Sequence, residues 1–314
     1  MPYRIVRGAD GREVPSSEFF AELKAATAIC VGESHTDSHH HWAQLELLSQ
    51  LSDPKVGNWA MGMEMFQRPF QGVLDDFSEG RISEQELLSR SDWERRWRHD
   101  WRLYAPMVRL AVQRGVALLA LNVSKELKDK WKASGKEGLS EEDQAKIPEI
   151  NLNNEAHRRW FRSLMESMSE GHGTGDTSDH AFLGDPEGAS PEPAVHEEAK
   201  PAAEGKAVSE TAPAAAEPDF IDTIYPVQVL WDETMADTAA KWLQAGEGRK
   251  LVILAGNGHC HESAIVGRMK RRGIEGVLSV RPVVEEGQGE VGDLLSTPMN
   301  DYLFIMQGAE AAAE

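Results

Sequence analysis

Three apolar, strand-like runs in this chain each deliver a carboxylate or an imidazole at the point where a strand would meet a loop or a helix. The runs end in Val-Gly-Glu-Ser-His at 31–35, in Gly-Met-Glu-Met-Phe at 62–66 and in Leu-Ala-Gly-Asn-Gly-His at 254–259. In open α/β sheets, ligands bind in the crevice beyond the carboxyl ends of the strands. Three such strand ends therefore predict one crevice lined by acidic and histidine side chains.

The rest of the chain predicts an α/β fold in which strands alternate with helices. Apolar residues at helical spacing and capping signals separate the buried runs from one another. Predicted strands lie at 28–31, 59–65, 116–121, 251–255, 277–280 and 302–306. Predicted helices lie at 16–26, 38–51, 122–134, 153–168, 225–245 and 262–272. This alternation indicates a mainly parallel sheet with helices on both faces.

A change in composition interrupts this single predicted domain. From 171 to 218, Ala, Glu, Pro and Gly dominate and apolar periodicity ends, so this stretch cannot bury enough apolar surface to become ordered. We therefore expect a disordered acidic insertion there and a disordered tail at 309–314. The remaining expected parts are an N-terminal segment at 1–27 and the two parts of the domain at 28–170 and 219–308.

The 314 residues carry a formal net charge of −19, from 52 acidic and 33 basic side chains. Such a negative field disfavours binding to nucleic acids and to anionic membranes, because both are polyanions. The N-terminus lacks the apolar run of a signal peptide, and no segment has the length of a transmembrane helix. The sequence as written predicts a cytoplasmic protein, or an envelope-associated one if a leader has been removed.

Cys30 and Cys260 are the only cysteines, and each lies at the end of a predicted buried strand. Two cysteines exclude a disulfide framework and a Cys-rich zinc site. Free cysteine commonly behaves as a small buried hydrophobic side chain, and this is the interpretation that the sequence favours.

Glu33 and His35 lie two residues apart, so at the end of an extended strand their side chains point the same way. A carboxylate beside an imidazole can bind a metal ion, or hold the imidazole in one tautomer for proton transfer. The alternative is a turn whose polar residues cap the next helix. Of the histidines that follow, His39 is the candidate to share the crevice, whereas His40 and His41 are expected on the surface or behind it.

Glu64 ends an apolar run, where burial without a partner would be costly, so we expect it at the mouth of the strand. Arg68 could instead pair with Glu64 in a purely structural ion pair. His259 follows two closely spaced glycines directly after a strand, which presents its imidazole to a ligand. Glu33, His35, Glu64 and His259 are thus candidate catalytic residues, and candidate ligands of a divalent metal such as zinc or manganese.

An aromatic stripe follows the second predicted strand. Its members recur at a spacing of about four and are Trp93, Trp97, His99, Trp101 and Tyr104. Such a stripe usually belongs to the core, but it could also wall a flat aromatic ligand. In that case Tyr104 or His99 could ligate a haem iron, because haem proteins use both residue types.

These motifs together resemble the ChaN-like haem-binding uptake family, within the grouping that includes Tiki-type metalloproteases, TraB-like proteins and erythromycin esterases. The segments that carry the resemblance are 31–35, 63–71, 101–106, the run ending at Asn122, 228–236 and 254–259. The chain departs from the family pattern after Asn122, where it has Val-Ser-Lys, and in its 171–218 insertion.

The resemblance implies haem as the cofactor, a role in haem or iron uptake, and often a lipid-anchored envelope protein. The candidate haem contacts are Tyr104, His99, His35, Arg68 and His259. Two alternatives remain open: a metal-dependent hydrolase and a non-catalytic partner-binding domain. We expect haem or another flat small molecule as the partner, no nucleic acid, and allow for a homodimer.

Overall fold

The computed structural model describes residues 2–52, 58–169, 220–285 and 290–308. The predicted insertion at 171–218 and the predicted tail at 309–314 lie outside these residues. No helix in the described part of the chain combines the length and the apolar character needed to cross a membrane.

Seven strands form one sheet with the order β1-β7-β6-β2-β5-β3-β4. Their bounds are β1 Tyr3–Arg7, β2 Ala28–Val31, β3 Asn58–Gln67, β4 Ala117–Asn122, β5 Arg249–Leu254, β6 Val277–Glu285 and β7 Tyr302–Gln307. All neighbouring strands are parallel except the edge pair β1–β7. The α/β class and all six predicted strands are confirmed.

Twelve α-helices occur in the described residues. They are α1 Ser16–Ala25, α2 Ser38–Leu51, α3 Gln71–Ser78, α4 Glu84–Arg90, α5 Trp93–Arg96, α6 Trp101–Gln113, α7 Lys125–Ser134, α8 Glu141–Lys146, α9 Glu155–Ser169, α10 Phe220–Gln244, α11 Gly267–Arg271 and α12 Glu290–Ser296. Asp37 caps α2, because its side chain accepts from two backbone N–H groups of the first turn. The predicted helix 262–272 is divided into a π-helical turn, Glu262–Val266, and α11, because Ala264 has non-helical dihedral angles.

The sequence analysis missed β1, which pairs with β7 at the edge of the sheet. This strand has only five residues, and two of them are arginines. Arg4 forms an ion pair with Glu285, and Arg7 pairs with Glu22. Charged residues are usual on exposed edges, so the run lacks the apolar signal of the central strands.

The sheet is covered on both faces, as the alternation of side chains along β2 illustrates. Ile29 and Val31 pack into a core shared with α1, α2 and α6. Ala28 and Cys30 point to the opposite core, which is formed with α10 and α11. Because both faces are buried, the central strands are continuous apolar runs.

Cys30 and Cys260 form a disulfide, so the interpretation as two separate buried thiols is wrong. Their Cα atoms lie 5.2 Å apart although 230 residues separate them in sequence. Spacing could not show this, because the two residues meet only when β2 and β5 become neighbours. The bond ties the end of β2 to the loop that follows β5.

Reduction of this disulfide should lower the free energy of unfolding by about 2–5 kcal/mol, since the cross-link restricts a long loop in the unfolded chain. Urea unfolding with and without dithiothreitol measures the difference. Thiol titration in denaturant provides the control, and two reactive thiols in protein that was never reduced would contradict the bond.

Candidate functional site

The three predicted strand ends meet, because β2, β5 and β3 are consecutive neighbours in the sheet. Val31 and Met63 both pair with Leu254 at the carboxyl ends of these strands. Glu33 and the 256–259 loop follow β2 and β5, and Glu64 lies within β3 directly after Met63, so the three lie side by side.

Glu33 is completely buried and is surrounded by hydrogen-bond donors. His35 Nδ1 lies 2.7 Å from its Oε1, and Tyr104 donates its hydroxyl to the same oxygen over 3.0 Å. His41 Nδ1 lies 3.3 Å from Oε2. Burial by itself would raise the pKa of Glu33, but the two imidazoles lower it to about 2. Glu33 is therefore an anion that orients His35.

Glu64 is held by the loop after β5. The Gly256 N–H donates to its Oε2 over 2.8 Å, and His259 Nε2 lies 3.3 Å from its Oε1. Burial opposes ionisation, yet His259 lowers the pKa of Glu64 below its usual value. Arg68, considered from the sequence as its partner, instead donates to the carbonyl of Lys146 over 2.7 Å.

His259 lies between two buried carboxylates. Its Nδ1 donates to Asp232 Oδ1 over 2.6 Å, on the side opposite Glu64. Burial alone would lower the pKa of His259, but the charge of Glu64 and the hydrogen bond to Asp232 raise it to about 10. Asp232 is further supported by Arg268, 3.5 Å away, and by His157, 3.2 Å away. His259 is thus an imidazolium in a fixed orientation.

Gly256 lies where the two imidazole–carboxylate pairs approach each other. A Cβ atom on this residue would lie 3.1 Å from His35 Cε1 and 3.7 Å from Glu64 Oε2. In both pairs the Nδ1 atom faces the supporting carboxylate, Glu33 for His35 and Asp232 for His259. The absence of a side chain at 256 therefore allows His35 to lie next to Glu64.

The predicted aromatic stripe packs as a cluster beside this site. Trp93 contacts Trp101 and Tyr104 with ring centroids 4.9 and 5.3 Å apart. Trp97 and His99 lie 4.8 and 4.9 Å from the His35 ring. The stripe therefore contributes to the core through Trp93 and Tyr104, and to the wall of the site through Trp97 and His99.

His99 and Tyr104 differ in their environments. The Tyr104 side chain is fully buried and its hydroxyl is bonded to Glu33, whereas His99 is half-buried. Burial lowers the pKa of His99 to about 4, with a contribution from His35, so the ring is neutral at pH 7. Its Nε2 has no hydrogen-bond partner among the described residues.

The side chains of the histidine run at 39–41 lie in different environments. His39, the predicted crevice residue, is half-exposed and its Nδ1 lies 3.2 Å from Asp37. His41 is buried, and its Nε2 donates to the carbonyl of His35 over 3.1 Å. The start of α2 at Ser38 explains the difference, because successive helical residues point in different directions.

The described residues contain no group of three or more His, Cys, Asp or Glu side chains arranged to hold a metal ion. Glu33 and Glu64 face imidazoles, and His259 faces carboxylates on both sides. Metal ligation by these residues and His35 stays a prediction.

Sequence reasoning missed the residues that support His259 from α10 and its surroundings. Asp232 and Gln228 lie one helical turn apart on α10, and Gln228 donates to the Gly258 carbonyl over 3.3 Å. Both belong to the 228–236 motif, which could have identified them. His157 and Arg268 had no comparable signal.

Comparisons with known proteins agree with this fold. The family model described as "Haem-binding uptake, Tiki superfamily, ChaN" matches residues 19–269. This chain belongs to that family. A solved structure titled "Cofacial heme binding to ChaN of Campylobacter jejuni" is 16% identical with a TM-score of 0.64, and the match covers 98% of this chain and 97% of that one.

An erythromycin esterase mutant in its open conformation is 12% identical with a TM-score of 0.47, over 90% of this chain and 77% of that one. None of the curated proteins searched matches the chain. At these identities, the ChaN structure establishes the fold alone.

Gly32→Ala should destabilise the protein by about 1–3 kcal/mol, because the added Cβ would overlap the side chain of buried Asn257. Urea unfolding measures the change. Gly72→Ala in α3 is the matched control, since nothing lies within 4 Å of its added Cβ, and it should be neutral or stabilising. Equal effects of the two substitutions would contradict the close packing at Gly32.

Stability should decline between pH 6.5 and about pH 10 through the deprotonation of His259. The pKa of this group is raised on folding, so its contribution is complete below pH 6.5 and is lost as the pH rises. Asp232→Asn should reduce both the stability and this decline. Urea unfolding over the range tests the difference, with Asp237→Asn on the same helix as the control. If the free energy of unfolding of wild type and of Asp232→Asn changed with pH in parallel, the coupling between Asp232 and the protonation of His259 would be contradicted.

Proposed function

We propose that this chain binds haem and that His99 is the ligand of the haem iron. Two observations support this proposal: the family is described as haem-binding, and Trp97 and His99 form an aromatic wall against which a flat ligand could lie. The observation that carries it is the His99 ring, which is neutral and has an Nε2 atom without a partner among the described residues. Histidine is a common axial ligand of haem iron.

Aromatic side chains form the wall against which we propose that the porphyrin binds. Trp97 and His99 offer aromatic surface next to His35, with the centroids of the three rings 4.8, 4.9 and 5.4 Å apart. Bound haem would supply a redox-active iron with a coordination position for a protein ligand. His99 would hold the iron, and Trp97 would exclude water from one face of the ring.

Tyr104 is less suited to the iron, since its hydroxyl is already donated to Glu33. We propose that it positions Glu33 instead. We propose that His35 also contacts the haem, because its ring lies 4.9 Å from the ring of His99. Arg68 and His259 are further proposed haem contacts. A role in haem or iron uptake or handling, and a homodimeric state, are proposed on the family description alone.

Titration of metal-free protein with hemin, followed by visible absorbance, tests haem binding. Wild type should give a saturable Soret shift, and His99→Ala should weaken binding by about tenfold or more or shift the band. Tyr104→Phe should keep the wild-type spectrum, and His39→Ala is the control for a half-exposed histidine. Loss of the band in Tyr104→Phe with no change in His99→Ala would contradict the assignment.

A metal-dependent hydrolase is the second candidate function. The observation that favours it is that His35 and His259 each have Nδ1 on a buried carboxylate, an arrangement typical of metal-ligating and general-base histidines. Glu33, His35, Glu64 and His259 would then hold zinc or manganese, or position a water molecule.

Stoichiometric metal in the purified protein that is lost in His35→Ala and His259→Ala would support this function. If neither haem nor metal binds, a partner-binding domain gains support.

We propose an oxidising compartment for this chain, in agreement with the envelope location implied by the family resemblance and in place of the cytoplasm. The buried Cys30–Cys260 disulfide supports it, because such bonds are rare where glutathione keeps thiols reduced. Acid quenching of intact cells, followed by alkylation of thiols in denaturant and a gel-shift assay, should leave this protein unmodified. Complete alkylation at both cysteines would favour the cytoplasm.

A further inference from the structure

The segment that carries the aromatic wall is short and is bounded by two residues in unusual backbone conformations. α5 has only four residues, and Asp92 before it and Arg98 after it have φ angles of 55° and 71°. Non-glycine residues rarely adopt such left-handed conformations, which persist only where the surrounding structure enforces them. A single helical turn is also too short to be stable by itself. The position of Trp97 and His99 therefore depends on contacts between this segment and the rest of the protein.

Arg96, the last residue of α5, contacts the end of β3, the turn that follows it and α7. Its guanidinium donates to Gln67 Oε1 over 2.6 Å, and to the two carboxylate oxygens of Glu126 over 2.6 and 3.3 Å. It also lies 4.9 Å from the centre of the Phe70 ring, and only 19% of the side chain is exposed. Paired bonds from a guanidinium fix the orientation of both partners, which a single exposed ion pair does not.

Gln67 connects this contact to the strand that carries Glu64. Its Oε1 also accepts from the backbone N–H of Lys125 over 3.0 Å, so that one oxygen atom joins β3, α5 and the start of α7. Gln67 lies three residues after Glu64 on β3, at the same end of the sheet as the site. The contacts of Arg96 thus tie the wall segment to the strand that supplies one of the site carboxylates.

Trp93 anchors the same segment from the opposite side. Its ring packs in the core, and its indole N–H donates to the carbonyl of His99 over 2.9 Å. Trp97 directly follows Arg96 and contacts His35, with ring centroids 4.8 Å apart. The wall is therefore held at two points, by Trp93 from the core and by Arg96 from α7 and the end of β3.

We infer that Arg96 is a positioning residue of the site, which holds the 93–99 segment on β3 and α7 so that the His99 ring lies against His35. The inference rests on the proposed haem function, because that function makes His99 the ligand of the iron. A ligand side chain that is already in place loses less conformational entropy on binding, so the contacts of Arg96 should increase the affinity for haem. Arg96 would act through His99 and not through its own charge.

Hemin titration of Arg96→Gln, Arg96→Lys and Arg95→Gln separates positioning from electrostatic attraction. Arg96→Gln should weaken hemin binding by about fivefold to tenfold and shift the Soret band towards that of His99→Ala. Arg96→Lys keeps the charge but lacks the planar fork that bonds Gln67 and Glu126 together, so it should resemble Arg96→Gln. Arg95→Gln is the matched control, since it removes an exposed charge from the same helix and should bind hemin like wild type.

A double variant tests whether Arg96 acts through His99. In the His99→Ala background, Arg96→Gln should change the affinity for hemin by about twofold or less, because the group that Arg96 positions is then absent. An equal loss of affinity in both backgrounds would overturn the inference. Wild-type affinity and spectrum in Arg96→Lys would also overturn it, because the charge alone would then be sufficient.

Hydrogen–deuterium exchange of the haem-free protein gives a readout that does not depend on haem. The N–H groups of residues 95–98 donate to the carbonyls of Asp92 and Trp93, so their exchange reports on this segment. Arg96→Gln should accelerate their exchange by about tenfold, while exchange in β5 stays at the wild-type rate and shows that the variant is folded. Unchanged exchange at 95–98 would overturn the inference. If wild type does not bind hemin but Arg96→Gln accelerates this exchange, the haem function is overturned and the positioning of the wall by Arg96 is retained.

Discussion

The candidate site depends on the cost of burying carboxylates. Glu33, Glu64 and Asp232 are almost entirely removed from solvent, and a buried anion without a partner would destabilise the fold by several kcal/mol. Each of them is therefore matched by an imidazole, through the pairs Glu33–His35 and Glu64–His259–Asp232. These pairs orient the histidine rings, so the requirement for charge compensation also determines the geometry of the site.

This arrangement requires that three strand ends approach closely, and small residues and one covalent bond make that approach possible. Gly32 accommodates Asn257, and Gly256 accommodates His35 and Glu64. The Cys30–Cys260 disulfide joins the same two segments a few residues away. The loop after β5 is thus held on β2 by packing, by hydrogen bonds to the glutamates and by a covalent link.

The aromatic cluster connects the site to the core. Trp93 and Tyr104 belong to the large apolar cluster that covers one face of the sheet, and Tyr104 also donates to Glu33. Trp97 and His99 extend the same cluster to the surface, beside the arginines of α5. The aromatic side chains of this cluster thus form one wall of the site beside His35.

The sequence by itself determined the α/β class, six of the seven strands and the convergence of Glu33, Glu64 and His259. Continuous apolar runs and strand-end glycines are local signals, and the rule that ligands bind at carboxyl ends of parallel strands relates them to one place. The roles of Asp232, His157 and Arg268 were decided by the tertiary structure, because their contacts join helices far apart in sequence. The tertiary structure likewise decided the Cys30–Cys260 disulfide and the burial of Tyr104. Which partner compensates a buried charge depends on three-dimensional proximity, and periodicity along the chain does not encode it.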